Sequence, residues 1–409
     1  MRKTNLCSLL LVLLLAACST TTKKENTTDT SPFKNRPQWV QEAFKTFEGH
    51  ADNMLVDVLK TGKTPRSTER GLKPSRDWTS GFYPGSLWYL YEYTGNQEWA
   101  KKAQQATELL DKEQYNTDDH DVGFRVYCSY GNGWLLTNNE QYKKVIIQAA
   151  KSLCTRYNKK TKTIMSWNPN EKRDWKYPVI IDNMMNLELI YEAYKLSGDE
   201  SFKDIALEHA NQTMKYHYRK DYSCPHVVDY DPETGNFRKM DWNNGFCDPK
   251  VAAWSRGQSW GLYGFTLMFR ETKDSKYLDF AEHIASFLLN NPNMPKDYIP
   301  FWDYASPKNP SMRDASAAAI MASGFLELSQ YSQNNKEKYF QVAESILKTL
   351  SSSDYLAQVG TNKNFAIKHT TGNYMGGSEV NGSLSYGDYY YVEAMVRYLK
   401  LINNQPLYQ

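Results

Sequence analysis

The chain has 409 residues, 41% hydrophobic and 23% charged, with a formal net charge of +3. That length supports a large core, and the interspersed charges argue against a nucleic-acid footprint while leaving room for a local basic pocket. Aromatic content is high at 14%, with Tyr 30 and Trp 11; most of it builds core, and the surplus beside polar loops suits a cleft that packs on sugar rings.

Residues 1–17 read as a lipoprotein signal peptide. Arg2 and Lys3 precede the apolar run Leu9–Leu15, which is too short for a membrane span and ends in Leu15-Ala16-Ala17-Cys18. That ending looks like a bacterial lipobox, which implies cleavage before Cys18 and lipidation of its thiol. An ordinary secretory peptide cut near the same place is the alternative. Residues 18–36, rich in Thr, Lys, Asn and Asp, read as a polar tether without fixed structure. The expected location is the periplasmic side of a membrane, with the cell surface as a second option.

The body, residues 37–409, reads as helices, and Pro37–Lys60 opens it. Five later segments repeat one layout: a polar turn, an acidic or amide residue, an aromatic, then a helical apolar pattern of about 15 residues. They begin at Gly95-Asn96-Gln97-Glu98-Trp99, Asn138-Asn139-Glu140-Gln141-Tyr142, Gly198-Asp199-Glu200-Ser201-Phe202, Lys273-Asp274-Ser275-Lys276-Tyr277 and Asn334-Asn335-Lys336-Glu337-Lys338-Tyr339. Each follows a more apolar stretch: Pro84–Tyr93, Phe124–Leu136, Asp182–Leu196, Gly257–Glu271 and Ala315–Tyr331. Gly387–Leu401 closes the chain, and strand signals are confined to short pieces such as Tyr222–Tyr230. Hairpins whose first member is apolar nearly all round predict an all-α fold, an (α/α)6 toroid of six helical hairpins. An open α-solenoid competes, but it would lack the long irregular loops at His217–Ala253 and Asn290–Asp314.

In such a ring the inner helices are parallel, so the segments preceding them meet at one mouth. These are Asp77–Gly85, His120-Asp121-Val122-Gly123-Phe124, Ile181-Asp182-Asn183, Trp254-Ser255-Arg256-Gly257-Gln258-Ser259-Trp260, Met312–Ser316 and Tyr386–Tyr390. Free N–H groups and aligned dipoles there favour an anion, so the mouth is expected to take a small carboxylate-bearing ligand.

Every residue also has a plainer reading. Asp182 at a helix start is either an N-cap or a carboxyl whose pKa is raised by Val179, Ile180, Ile181, Met184 and Met185. Asp121, Asp314 and Asp388 are candidate caps, and Trp78, Trp254 and Trp260 could be rim packing. Arg256 could pair with Asp121, Asp248 or Asp314, His226 could be structural, and Glu379 is expected to be solvated. No HExxH, Cys/His cluster, P-loop or GxSxG occurs, so neither a metal nor a cofactor is expected. Cys128, Cys154, Cys224 and Cys247 match no zinc spacing and read as buried and free.

The mouth segments carry a resemblance. Trp78–Gly85, His120–Phe124, Ile181–Asn186, Trp254–Trp260, Arg313–Ala318 and Gly387–Ala394, in this order, resemble the unsaturated glucuronyl hydrolases of glycoside hydrolase family 88. The resemblance implies an (α/α)6 barrel acting on oligosaccharides that end in a 4,5-unsaturated uronic acid, the ends left by polysaccharide lyases on glycosaminoglycans. It implies a general acid/base role for Asp182 and an essential partner carboxylate in Asp121. Substrate contacts fall to Trp78, Trp167, His226, Arg256 and Trp260, with Trp254 nearby. A small anionic oligosaccharide is thus the expected partner, without nucleic acid, on a monomer or weak oligomer that meets the membrane only through its lipid anchor. Rival readings are an unsaturated rhamnogalacturonyl hydrolase, an inverting glycosidase on the same toroid, and a non-catalytic oligosaccharide-binding lipoprotein.

Overall fold

The computed structural model describes residues 29–245, 248–305 and 312–408. The signal peptide, Cys18, the tether to residue 28 and Cys247 lie outside them. Among the described residues twelve α-helices dominate: α1 (Gln38–Thr61), α2 (Phe82–Thr94), α3 (Gln97–Glu108), α4 (Asn132–Thr137), α5 (Glu140–Cys154), α6 (Asn183–Ser197), α7 (Glu200–Tyr216), α8 (Ser255–Thr272), α9 (Ser275–Asn290), α10 (Ala315–Leu328), α11 (Lys336–Leu350) and α12 (Ser385–Ile402).

The inner ring is α2, the Gly123–Thr137 helix, α6, α8, α10 and α12, and each packs on the next. Because α12 also packs on α2, the ring closes, which rules out the open solenoid. The outer helices α3, α5, α7, α9 and α11 each lie against the inner helix before them. The toroid expected from the hairpin pattern is the observed fold. Burial explains which member goes inside: all fourteen residues of α10 are buried, whereas α3 buries only Trp99, Ala103, Ala106 and Thr107.

The repeated polar turn has a specific geometry. Gly95, Asn138, Gly198 and Lys273 adopt left-handed backbone that stops an inner helix. One residue later Asn96, Asn139, Asp199 and Asp274 each accept a backbone N–H of the outer helix's first turn. The fifth turn differs, since Asn335 makes no side-chain cap.

Two local expectations change. The stretch read as one α-helix from Phe124 begins as a nine-residue π-helix, Gly123–Gly131, before becoming α4. Gly123 at its start presses against Asn186 of α6, where a Cβ would collide. Residues 29–36, read from composition as tether, dock on the ring, and Phe33 there is buried against Tyr93.

Short strands form three small sheets. One pairs β1 (Thr64–Ser67) with β2 (Gly71–Lys73), and a second pairs β3 (Tyr157–Asn158) with β4 (Thr163–Ile164). The third orders β5 (Pro178–Ile180), β6 (Val227–Tyr230) and β7 (Phe237–Asp241) antiparallel above the ring. Among the described residues no helix is long and apolar enough to cross a membrane.

Candidate active site

A cleft of about 670 Å³ opens at the inner helices' N-terminal end. Asp121, Asp182, His120, His226, Trp78, Trp167, Trp254 and Arg256 all line it, although they come from six separate segments.

Asp182 occupies the N-cap position of α6, yet its side chain makes no capping bond. The capping interpretation is therefore excluded, and β-sheet register supplies the other partner. Ile180 pairs with Val227, and the Ile181 N–H donates to the carbonyl of His226 at 3.2 Å. Asp182 directly follows Ile181, the residue opposite His226, and His226 Nε2 lies 3.2 Å from Asp182 Oδ2. The angle is poorer than in an aligned hydrogen bond, and both atoms lack any other partner. The Asn244 backbone N–H donates to His226 Nδ1 at 2.9 Å, so the ring's proton sits on Nε2, facing the carboxylate.

Asp121 stands on the neighbouring segment. Its own N–H donates to Asp119 Oδ1, and Asp119 also takes both terminal nitrogens of Arg125 at 2.8 and 2.9 Å. Asp119 thus performs the turn-capping work assigned to Asp121, whose carboxyl is left facing the cleft 3.5 Å from His120 Nε2. Asn186 Nδ2 meets the other nitrogen of His120 at 3.3 Å.

The two carboxyls are driven apart. Burial, with the Asp119 charge next to it, pushes Asp121 well above the usual carboxylate range. Burial also pushes Asp182 up, but the facing His226, helped by His120 and Arg256, brings it below the ordinary value. The apolar neighbours were expected to raise Asp182; the imidazole partner outweighs them. Burial lowers His120 to about 4, so it is neutral at pH 7.

Aromatic rings frame this pair. Trp167 stacks on Trp175 at 5.6 Å and stands edge-on to His226, and Trp254 lies 4.5 Å from the His226 ring. Trp78 packs against Tyr386 and Phe124 on the facing wall. Trp260 is different. It is fully buried between Phe124 and Tyr390 and does not line the cleft, so it shapes the floor from below.

Arg256 chooses Asp314 among its three candidate partners, at 3.0 Å, and its terminal nitrogens also donate to the carbonyls of Thr371 and Gly372. Its guanidinium lies over Trp254 and Tyr386, and only Nε lacks a protein partner. Asp314 in addition caps α10 through Ser316. Asp388 instead accepts N–H groups of Ala366 and Ile367, pinning a loop rather than its own helix.

Glu379, expected in solvent, is buried because Arg66 grips it with two bonds at 2.8 and 2.9 Å. Arg66 also holds Asp77 at 2.9 Å, and Arg70 reaches Glu379 at 3.6 Å. Arg66, Arg70, Asn244 and Asn373 were not anticipated. Isolated basic or amide residues in short strands and loops carry no sequence signal, and only the tertiary fold brings them to the cleft.

A second cavity, about 790 Å³, lies at the opposite end of the ring. Its charged groups are consumed in ion pairs, Lys400 with Glu92, Arg397 with Glu393 and Arg270 with Glu188. Cys128 and Cys224 are buried and free, and Cys154 is free and partly buried. Among the described residues no group of three or more His, Cys, Asp or Glu is placed to hold a metal ion.

The model of Glycosyl Hydrolase Family 88 matches residues 50–400. The chain belongs to glycosyl hydrolase family 88. This family 88 chain is 41% identical over 382 residues to the unsaturated glucuronyl hydrolase of Formosa agariphila, covering 92% of this chain and 94% of that one. It is 30% identical to the unsaturated chondroitin disaccharide hydrolase of Streptococcus pneumoniae, across 79% of this chain and 82% of that protein. The solved structure of an unsaturated glucuronyl hydrolase specific for heparin superposes with a TM-score of 0.84 at 44% identity, covering 91% of this chain and 99% of the other.

Proposed function

We propose that this family 88 hydrolase removes a 4,5-unsaturated uronic acid from the non-reducing end of lyase-derived glycosaminoglycan oligosaccharides by hydrating the C4–C5 double bond. The observation that carries the reading is the convergence of Asp182, His226 and Asp121 in one aromatic-walled cleft. The similarity to unsaturated glucuronyl hydrolases over nearly the whole chain supports it.

An unsaturated uronate contains a vinyl ether conjugated to a carboxylate. Asp182 delivers a proton to C4, which leaves oxocarbenium character at C5. Water adds its oxygen to C5 and returns a proton to Asp182. The C5 hemiketal opens by breaking C5–O5 to a C5 ketone, which leaves a hemiacetal at C1, and this collapses to the aldehyde by breaking the C1–O bond and releasing the trailing sugar as its alcohol. One carboxyl serves both steps, unlike the two flanking acids of ordinary glycosidases. The facing His226 holds Asp182 low against burial, and the uronate's own carboxylate supplies the like charge and water exclusion that raise it and load the proton. Burial pushes Asp121 toward its protonated form, in which it can donate to a ring hydroxyl. His226 keeps Asp182 oriented through Nε2–H, and the indoles of Trp78 and Trp167 offer stacking faces.

The test is optical and isotopic. Conjugated enoate absorbance should decay on unsaturated chondroitin, hyaluronan or heparin disaccharides, and water carrying heavy oxygen should label C5 rather than the anomeric carbon. Equal cleavage of saturated disaccharides would rule out hydration; binding without absorbance loss would leave a carbohydrate-binding protein.

The lipobox-like Leu15-Ala16-Ala17-Cys18 supports a lipid anchor at Cys18 and a periplasmic or surface position. Metabolic labelling with a radioactive fatty acid, lost on Cys18→Ala, tests the anchor.

A further inference from the structure

The residues that lead out of the body toward Cys18 are not loose where they meet the ring. Ser31 Oγ and Thr30 Oγ1 donate to the carbonyls of Tyr93 and Thr94 at 2.6 and 2.7 Å, at the last turn of α2. Asn35 and Asn403 exchange bonds of 2.8 Å in both directions, and Asn35 Nδ2 also reaches the carbonyl of Ile402 at the end of α12. Gln405 holds the carbonyl of Pro32, and Phe33 is 2% exposed. Residues 30–35 are therefore strapped to the C-terminal ends of two inner helices.

Those same helices carry cleft residues at their other ends. Trp78 precedes α2, and Tyr386 opens α12. Thirteen and eighteen helical residues separate the two faces, a distance of about 20–27 Å at 1.5 Å per residue. The chain thus leaves the body on the face opposite the cleft.

Tether length then matters. Cys18 lies eleven residues before Asp29, a reach of at most about 40 Å even when fully extended. A domain of this size has a radius of gyration of about 21 Å, hence a sphere of about 27 Å radius. A path from one pole, round the side and down to a surface touching the other pole is about 70 Å by the same estimate. The tether cannot make it.

We propose that the anchored enzyme cannot turn its cleft onto the bilayer, because the strap of residues 30–35 holds the anchored end on the far face, so that oligosaccharides reach the cleft from the aqueous side. This rests on lipidation of Cys18, and the partner is a phospholipid surface without a specific headgroup.

The test uses the full-length lipidated chain in vesicles of phosphatidylethanolamine and phosphatidylglycerol that carry a headgroup-labelled energy acceptor. A fluorescent unnatural amino acid is placed either at position 34, exposed on the strap, or at position 375, which is 37% exposed beside Asn373 of the cleft. Energy transfer from position 34 should exceed that from position 375 at least threefold. Inserting twenty Gly/Ser residues between Cys18 and Asp29 should bring the ratio toward one, because the reach then exceeds the path round the body. Equal or reversed transfer in the native chain, or a ratio indifferent to the insertion, overturns the orientation while leaving the anchor standing. A chain that fails to float with the vesicles removes the anchor and the orientation together. Neither result bears on turnover of unsaturated disaccharides, which is measured separately on the same preparation.

Discussion

Replacing Asp182 by Asn is the sharpest perturbation the structure offers. The residue is 7% exposed, and Asn occupies the same volume, so no cavity forms and no bulk is added. The amide oxygen can still face His226 Nε2, and the strand bonds that position residue 182 are made by backbone alone. Fold and substrate affinity should therefore survive. What disappears is the group assigned both to give C4 its proton and to take one from water. General acid–base assistance contributes roughly 10²–10⁴-fold, or about 2.7–5.5 kcal/mol of barrier. The expected result is a fall of that size in kcat with KM changed by less than about threefold. The decay of enoate absorbance at saturating substrate measures kcat, and calorimetric titration of the variant with an unsaturated disaccharide measures binding. Asp121→Asn is the control, because Asp121 is the carboxyl that burial pushes toward the protonated form. If Asp182→Asn loses less than tenfold while Asp121→Asn loses everything, the proton comes from Asp121 and the assignment is wrong.

Other expectations follow from burial. Burial lowers His120, His209 and His217 to about 4, 3 and 4, against an ordinary 6.5. Above pH 6.5 neither the folded nor the unfolded chain protonates them; below it the unfolded chain does so first. Stability is thus full above pH 6.5 and lost as pH falls toward 4, by up to about 4 kcal/mol per pH unit for three sites. Urea midpoints at pH 7 and pH 5 should differ clearly, and equal midpoints would refute neutral burial. Gly81→Ala places a methyl against the carbonyl oxygens of Phe124 and Arg125, backbone atoms that cannot swing aside. It should cost about 3 kcal/mol or more and lower the thermal midpoint. Glu327→Gln removes the charge shared by Arg270 and Arg397 at 3.2 and 3.1 Å. A loss of about 3–5 kcal/mol in denaturant unfolding is expected for a buried pair broken on one side.

Much of the architecture was legible in the residues. Helical period, the Gly or Asn stop followed by an Asn or Asp cap, and the more apolar first member of each hairpin are local properties, so they mark the helices and sort them into inner and outer rings. Parallel inner helices then bring their N-terminal segments to one end, which is why Asp121, Asp182, Arg256 and Trp254 were found together. Partner choice was not legible. His226 meets Asp182 because β5 and β6 pair in one register, a relation between strands more than forty residues apart that no local pattern encodes. The direction of the Asp182 pKa followed from that partner rather than from the apolar neighbours visible in the sequence. Glu379 and Arg66, 313 positions apart, and the burial of Trp260 beneath the cleft depend in the same way on how distant segments pack. Composition and periodicity act within a turn or two of chain, whereas ion pairing and desolvation are set by whatever the fold places within a few ångströms.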